Sequence, residues 1–364
     1  MGTDSATNRV VSGRTWTDFC QALERAGNVV LRQATPEDPL DRAEGFRYLS
    51  RLTRVALESF VEFADPAFPV LRRPAHETVK IGADNPDNYY QSAAISGKYE
   101  YRIWGTRGTI HYLGIGTYAG GYGSTGRRGQ DGYVEANDLT TRPDGSFELI
   151  VSCREHAGNW LPMQPDSSLL IIRQTFEDRS TEKIAELRIE RVGVDAPPPP
   201  LTAEFLDRGL AQAAAYVNGT ASLFTDWSEG FAPRKNELPK FDPAVAAAAH
   251  GDPNICYFHG YWELGQDEAL VIEVTPPRCE YWNFQLNNHW MESLDYRYHR
   301  IALNHHEARY RDDGSVRLVV AHGDPGVDNW LDTAGHARGT MCLRWIGADE
   351  HPEPTTRVAK LADL

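Results

Sequence analysis

Basic residues are scarce in this chain. Against 51 aspartates and glutamates stand 37 lysines and arginines in 364 residues, a formal net charge of -14. Nucleic acids and anionic membrane surfaces both require a basic patch, so neither is expected as a partner. Cysteine is equally sparse. The five, Cys20, Cys153, Cys256, Cys279 and Cys342, are odd in number, scattered, and form no Cys-x-x-Cys pair. That argues against a disulfide framework or a zinc site and for reduced thiols in a cytoplasm. The opening residues MGTDSATNRVVSGR hold no apolar stretch of signal-peptide length, and no run approaches the ~18 apolar residues that cross a bilayer. A soluble, cytoplasmic protein is expected.

Several motifs are missing too. There is no Gly-x-x-x-x-Gly-Lys-Ser/Thr phosphate loop, no Gly-x-Gly-x-x-Gly between strand and helix, and no His-Glu-x-x-His. Tyr122-Gly123-Ser124-Thr125-Gly126 approaches the serine-hydrolase elbow, but the first glycine of that pattern is absent. Nucleotide-dependent and α/β-hydrolase chemistry are therefore disfavoured, and no cofactor is expected.

What is present is a repeat. Asp144-Gly145-Ser146 returns as Asp313-Gly314-Ser315, Asn159-Trp160-Leu161 as Asn329-Trp330-Leu331, and Arg173 with Asp178 as Arg344 with Asp349. Upstream, Asn85-Pro86-Asp87 faces Asp252-Pro253-Asn254, and Gly97, Glu100 and Tyr112 face Gly265, Glu268 and Tyr281. Matches in one order at a nearly constant offset indicate duplication. A helix-patterned segment precedes each copy. Phe46, Leu49, Leu52, Ala56 and Phe60 recur at helical spacing behind Asp41 and Glu44, which are placed like a capping box. Phe205, Leu206, Leu210, Ala213 and Val217 do the same behind Thr202. An extra helix near Trp16 to Leu23 begins the chain.

The rest reads as short strands after Asp-Gly turns, with alternating segments such as Tyr281 to Asn287 burying one face and wetting the other. The expected fold is α+β, mostly β: two tandem antiparallel β-sandwich halves of jelly-roll type, each preceded by helix. The expected division is a helical extension over 1–38, the first copy over 39–195, a proline linker at 196–200 and the second copy over 201–364.

The run Gly323 to His336 with Leu343-Arg344-Trp345, together with His289-Trp290-Met291-Glu292-Ser293-Leu294-Asp295-Tyr296, resembles the bacterial domain-of-unknown-function family 1214. The resemblance covers roughly the last hundred residues and reaches the first copy only through the repeat. It implies a jelly-roll β domain and assigns no activity.

Chemistry is expected where the copies diverge. Asn283, Gln285 and Asn287 form an amide strip in the second copy, where the first has Gly114, Gly116 and Tyr118. Beyond it, His289, Glu292, Asp295 and Tyr296 gather proton-moving groups within eight residues. Set against this is a solvated connection with its own ion pairs. The glycine-rich segment from Gly120 to Gly129 is read as a lid or as a plain surface loop. The Asn-Trp-Leu motifs and the Arg/Asp pairs, present in both copies, build the fold, with the tryptophans in the core. No metal is expected. Asp84, Asn85, Asp87 and Asn88 offer oxygen ligands but are also ordinary turn residues, and His305 and His306 point to opposite faces of a strand.

These residues point to an enzyme acting on a small hydroxylated molecule by acid-base chemistry, either glycosidic-bond hydrolysis or hydration and dehydration, in a cleft between or beside the two halves. Glu292 or Asp295 is the expected acid or base, and His289 and Tyr296 assist. Asn283, Gln285, Asn287, Trp290 and Tyr118 hold the substrate. The rivals are a non-catalytic carbohydrate- or lipid-binding sandwich and a structural or interaction protein.

Overall fold

The computed structural model describes residues 5–124, 127–194 and 196–364. Thr125 and Gly126 of the glycine-rich segment, and Asp195 at the end of the first copy, lie outside the described residues. In chain order the elements are α1 (Ala6–Val11), α2 (Arg14–Val30), α3 (Pro39–Leu57), β1 (Asn88–Ala94), β2 (Tyr101–Thr106), β3 (Tyr112–Ala119), β4 (Gly129–Glu135), β5 (Ser146–Ser152), β6 (Trp160–Pro162), β7 (Ser167–Thr175) and β8 (Glu186–Arg191). The second half continues with α4 (Ala203–Phe231), α5 (Pro243–Ala248), β9 (Ile255–Glu263), β10 (Glu268–Val274), β11 (Tyr281–Leu286), β12 (Ala302–Asn304), β13 (Val316–Ala321), β14 (Trp330–Asp332), β15 (Arg338–Ile346) and β16 (Thr355–Lys360). Among the described residues no helix is long and apolar enough to cross a membrane.

The duplication is carried by the hydrogen bonding. One sheet of the first half runs β1-β7-β3-β4 and its counterpart in the second runs β9-β15-β11-β12; the other pair runs β6-β5-β2-β8 and β14-β13-β10-β16. Strand order is therefore the same in both halves. Pairing is antiparallel except at the short β6 and β14, each of which lies parallel to its neighbour. In each half the two sheets enclose one apolar core. The first contains Ile103, Ile115, Leu149 and Ile172; the second contains Ile272, Phe284, Leu318 and Leu343, each exposed by 1% or less. Each such residue contributes about 1.5–3 kcal/mol of burial.

The shared motifs prove to be staples. Asn159 Nδ2 donates to the carbonyls of Thr140 and Glu148, both at 2.9 Å. Asn329 Nδ2 donates likewise to Arg309 and Arg317, at 2.8 and 3.0 Å. The turns match as well: Ser146 N donates to Asp144 Oδ1 and Ser315 N to Asp313 Oδ1, each at 2.9 Å. Trp160 and Trp330 occupy equivalent places, but they are half-buried rather than in the core. Their indole nitrogens reach the carbonyls of Ser152 and Ala321, the last residues of β5 and β13. Each indole clamps a strand end, which keeps one edge of the ring near solvent.

The chain divides into two compact units, Met1–Val29 with Leu49–Val79 and Asp87–Ala221, and Val30–Tyr48 with Lys80–Pro86 and Ser222–Leu364. Compared with the linear division expected from sequence, Val30–Tyr48 and Lys80–Pro86 fall in the C-terminal unit. Glu44 and Asp84 there accept hydrogen bonds from Asn288 Nδ2 and Ser293 N of that unit.

Local details differ from expectation in two places. The cap of α3 is Asp38, whose Oδ1 accepts from Leu40 N at 2.8 Å, with Pro39 at the first helical position. Asp41 and Glu44 instead turn inward, heading a buried stripe that continues through Tyr48, Leu52 and Val55. The described start of the glycine-rich segment is packed, not loose. Gly123 meets the backbone of α4 at Ala215 and Gly219, and the Tyr122 ring lies 6.1 Å from that of Tyr216.

A candidate acid-base site in the C-terminal unit

On β11, Phe284 faces the core while Asn283, Gln285 and the following Asn287 face the other way, as strand alternation requires. That opposite face is not wetted. All three residues are 0% exposed, because Lys80–Pro86 of the same unit lies over them. Asn283 Nδ2 donates to Asn85 Oδ1 at 2.9 Å, and Gln285 Nε2 donates to the Asp84 carbonyl at 2.9 Å and to Asn287 Oδ1 at 2.6 Å. Asn287 Nδ2 donates to Thr340 Oγ1 at 3.3 Å. Arg344, across the ladder on β15, donates to Asn283 Oδ1, Gln285 Oε1 and the Ala83 carbonyl. The strip expected to hold substrate is thus engaged inside the protein, and Asp84 and Asn85 serve the same network. Asp84 also accepts from Ser293 N and Oγ at 3.1 and 2.9 Å; burial raises its pKa, opposed by Lys80.

The other expected residues separate. Glu292 is fully buried and accepts from Asn288 Nδ2 at 3.0 Å. The same nitrogen donates to Glu44 Oε2 at 2.8 Å, so one amide bridges two carboxylates. Asp295 stays near the surface in a two-pronged pair with Arg297, at 2.9 and 2.7 Å, which lowers its pKa to about 2. A carboxylate so held is a poor proton carrier at neutral pH. Tyr296 receives Lys80 Nζ over its ring at 4.6 Å. Trp290 is 1% exposed, its indole donating to the Asp41 carbonyl at 2.8 Å. Gly45 allows this approach, since a Cβ there would lie 2.6 Å from the Trp290 ring. Tyr118 belongs to the N-terminal unit, where its hydroxyl accepts from Arg173 at 3.0 Å. Gly114 and Gly116 open no space there; Tyr133 and Tyr118 fill it.

His289 is the expected residue with unused capacity. It is 1% exposed, and its Nδ1 lies 3.0 Å from Tyr261 Oη and 3.3 Å from Ser228 Oγ. Its Nε2 is buried with no partner among the described residues. Burial, then the charges of Arg338 and Arg42, lowers its pKa to about 3, so the ring is neutral at pH 7. The strand-to-turn segment carrying it is strained. Met291 and Ala83 both have positive φ, 57° each, and Ala83 N donates to Met291 O at 2.6 Å. Such outliers persist where surrounding structure over-determines them, often at functional sites.

Four groups not expected at the site, Asp41, Glu44, His336 and Tyr261, complete the cluster. Asp41 is 5% exposed, and no donor among the described residues reaches its carboxylate. Burial raises its pKa to about 6 against the pull of His336 and Arg338. His336 Nε2 lies 2.8 Å from Glu44 Oε2 and its Nδ1 3.1 Å from the Thr333 carbonyl. Both neighbours are acceptors, so both ring nitrogens carry protons. Burial opposes that charge, but the Glu44 pair wins and the His336 pKa is raised. Glu44 is held low by the same pair, again against burial. Tyr261 joins the parts: burial and the Asp41 charge raise its pKa while its hydroxyl touches His289. The available signal was Asp41 and Glu44 at the head of an otherwise apolar stripe on α3. His336, Tyr261 and Arg338 come from separate strands and loops and gave none.

The profile of the family described as "Protein of unknown function (DUF1214)" matches residues 265–350. A crystal structure of an uncharacterised protein from Burkholderia cenocepacia is 53% identical, with a TM-score of 0.97 over 99% of this chain and 100% of that one. The VPA0106 protein from Vibrio parahaemolyticus has a TM-score of 0.50 at 12% identity, covering 87% of this chain and 98% of that one, a likeness of fold alone. No curated protein matches.

Proposed function

We propose that this chain, whose residues 265–350 match the DUF1214 family of proteins of unknown function, is an enzyme that moves protons on a small hydroxylated molecule by general acid-base catalysis. The observation that carries this reading is His289 Nε2, buried with no partner among the described residues, in one cluster with the Asp41 carboxylate, whose charge acts on the Tyr261 hydroxyl that touches His289. A buried polar group left unsatisfied costs about 1–3 kcal/mol. A fold that bears this cost at His289 has a use for that atom that a ligand completes. The two groups take different roles: Asp41, titrating near neutrality, takes up or delivers the proton, while the imidazole of His289, held neutral by burial, orients the substrate hydroxyl through a hydrogen bond at Nε2. Elimination or addition of water, or hydrolysis of a glycosidic bond, needs such a pair. Glu44, His336, Asn288 and Glu292 hold the α3 side of the cluster in place.

The test follows solvent isotope into small hydroxylated compounds by mass spectrometry in deuterated and oxygen-18 water. Wild type should exchange or add solvent atoms, and Asp41→Asn and His289→Asn should stop this while leaving the circular dichroism spectrum unchanged. Exchange that persists in both variants would refute the assignment.

A further inference from the structure

The two buried histidines of this unit differ in what their ring nitrogens face. Both nitrogens of His336 meet acceptors. Nδ1 of His289 instead meets two hydroxyls, Tyr261 Oη at 3.0 Å and Ser228 Oγ at 3.3 Å. A hydroxyl can donate or accept, so these distances alone do not place the proton of the ring. The bonding of the hydroxyls does.

Ser228, on α4, is 0% exposed and Tyr261, on β9, is 3% exposed. Neither hydroxyl has another partner among the described residues. If Nδ1 carried a proton it would donate to one of them, and both hydroxyl hydrogens would be left buried with no acceptor, at about 1–3 kcal/mol each. If Nδ1 is bare, it accepts from them. A ring turned over by half a revolution would set carbon against both hydroxyls and strand them equally. Edge-on contacts fix the plane of the ring: its centroid lies 5.9 Å from that of Tyr261 at 79° and 4.9 Å from that of Trp290 at 85°. The single proton of the neutral imidazole therefore sits on Nε2, the nitrogen that is buried with no partner among the described residues.

We propose that Tyr261 and Ser228 are positioning residues that hold His289 as its Nε2–H tautomer, so that the ring donates a hydrogen bond to the ligand. The group seated there is then a hydroxyl, carbonyl or ether oxygen presenting a lone pair, and not an ammonium, which has none. The inference rests on the acid-base reading above and deepens it. A substrate hydroxyl is gripped by its oxygen, which leaves its own hydrogen free for the group that moves the proton. Tyr261 and Ser228 act on the substrate only through the imidazole.

The tautomer is read without any substrate from the nitrogen-15 resonances of the His289 ring in the full chain, assigned by comparison with His289→Asn. Wild type should show the Nε2–H form from about pH 5 to about pH 8, where an ordinary histidine titrates. Tyr261→Phe removes the nearer donor and should shift Nδ1 far more than Nε2; Ser228→Ala should do the same to a smaller extent. An Nδ1–H ring in wild type, or an Nδ1 resonance unmoved in both variants, would overturn the assignment. Solvent isotope exchange supplies the second arm. His289→Gln keeps an N–H donor near the place of Nε2 and His289→Asn does not. The glutamine variant should stay within about tenfold of wild type, while the asparagine variant loses about a hundredfold or more. Equal loss in the two would overturn the donor role. If wild type exchanges nothing, the acid-base reading falls, and the tautomer measurement still decides this inference. If Tyr261→Phe does not fold, the wild-type tautomer and Ser228→Ala decide it.

Discussion

The two halves place an arginine at the same register of the same sheet and satisfy it by opposite means. Arg173 stands opposite Gly114 on β3, and Arg344 opposite Asn283 on β11. In the first half the neighbouring strand is stripped to glycine, and the Tyr118 ring folds back over Gly116, with the hypothetical Cβ 2.7 Å from its hydroxyl, so that one phenol serves the arginine. In the second half an unbroken row of amides does so. The duplicated frame tolerates either answer because the sandwich core on the other face of each sheet is unaffected. What differs is the use of the outer face: the first is filled with aromatic side chains, whereas the second is a polar network of amides around Arg344.

Four measurements would break or sharpen this contrast. The largest effect should come from Arg344→Met, which leaves two buried amides and a carbonyl without their donor. It should cost about 3–5 kcal/mol in chemical denaturation, and a loss under 1 kcal/mol would mean the network is not the support described.

Asp41→Asn should act in the other direction. The folded-state pKa of Asp41, about 6, lies above the ordinary carboxylate value. Its ionisation therefore opposes folding, not at all below about pH 4 and fully above about pH 6. The variant should be about 3 kcal/mol more stable than wild type at pH 8 and equal to it at pH 4. A pH-independent effect would remove the case for a poised acid. Nothing in the first half should behave this way.

Glu44→Gln should destabilise by about 1–3 kcal/mol, with a pH window set by its partner. The raised pKa of His336 makes its contribution complete below about pH 6.5, to be lost as pH rises through the folded value. The lowered pKa of Glu44 makes its contribution present above about pH 4.5, to be lost as pH falls. The cost should peak between these limits, and a flat profile would show that the pair is not ionised.

The smallest effects test sameness. Asn159→Ala and Asn329→Ala should each cost about 1–2 kcal/mol, the second slightly more because Asn329 holds φ at 56°, a conformation alanine resists. Trp160→Phe and Trp330→Phe should match each other more closely still. A wide gap within either pair would show that the staples are not equivalent.

The frame was legible in the residues. The Asp-Gly-Ser turns, the Asn-Trp-Leu staples and the repeat offset are local patterns, and local hydrogen bonding realises them identically in both halves. The positions of Gly114, Gly116 and Asn283, Gln285, Asn287 correctly marked where the copies diverge. Their meaning was not legible. An amide strip on an alternating strand looks the same whether it faces water or a covering segment, and only the path of Lys80–Pro86 decides that it is buried. The same holds for the ionisable groups. Glu292 and Asp295 are neighbours in sequence, but one is sealed behind an amide and the other pairs with Arg297 at the surface. Asp41, Tyr261, His289, His336 and Arg338 are scattered over some three hundred residues and meet only on folding. Composition and spacing determined two duplicated β-sandwich frames. Tertiary structure alone decided which polar atoms were left without partners, because burial and hydrogen-bond satisfaction depend on contacts between segments far apart in the chain.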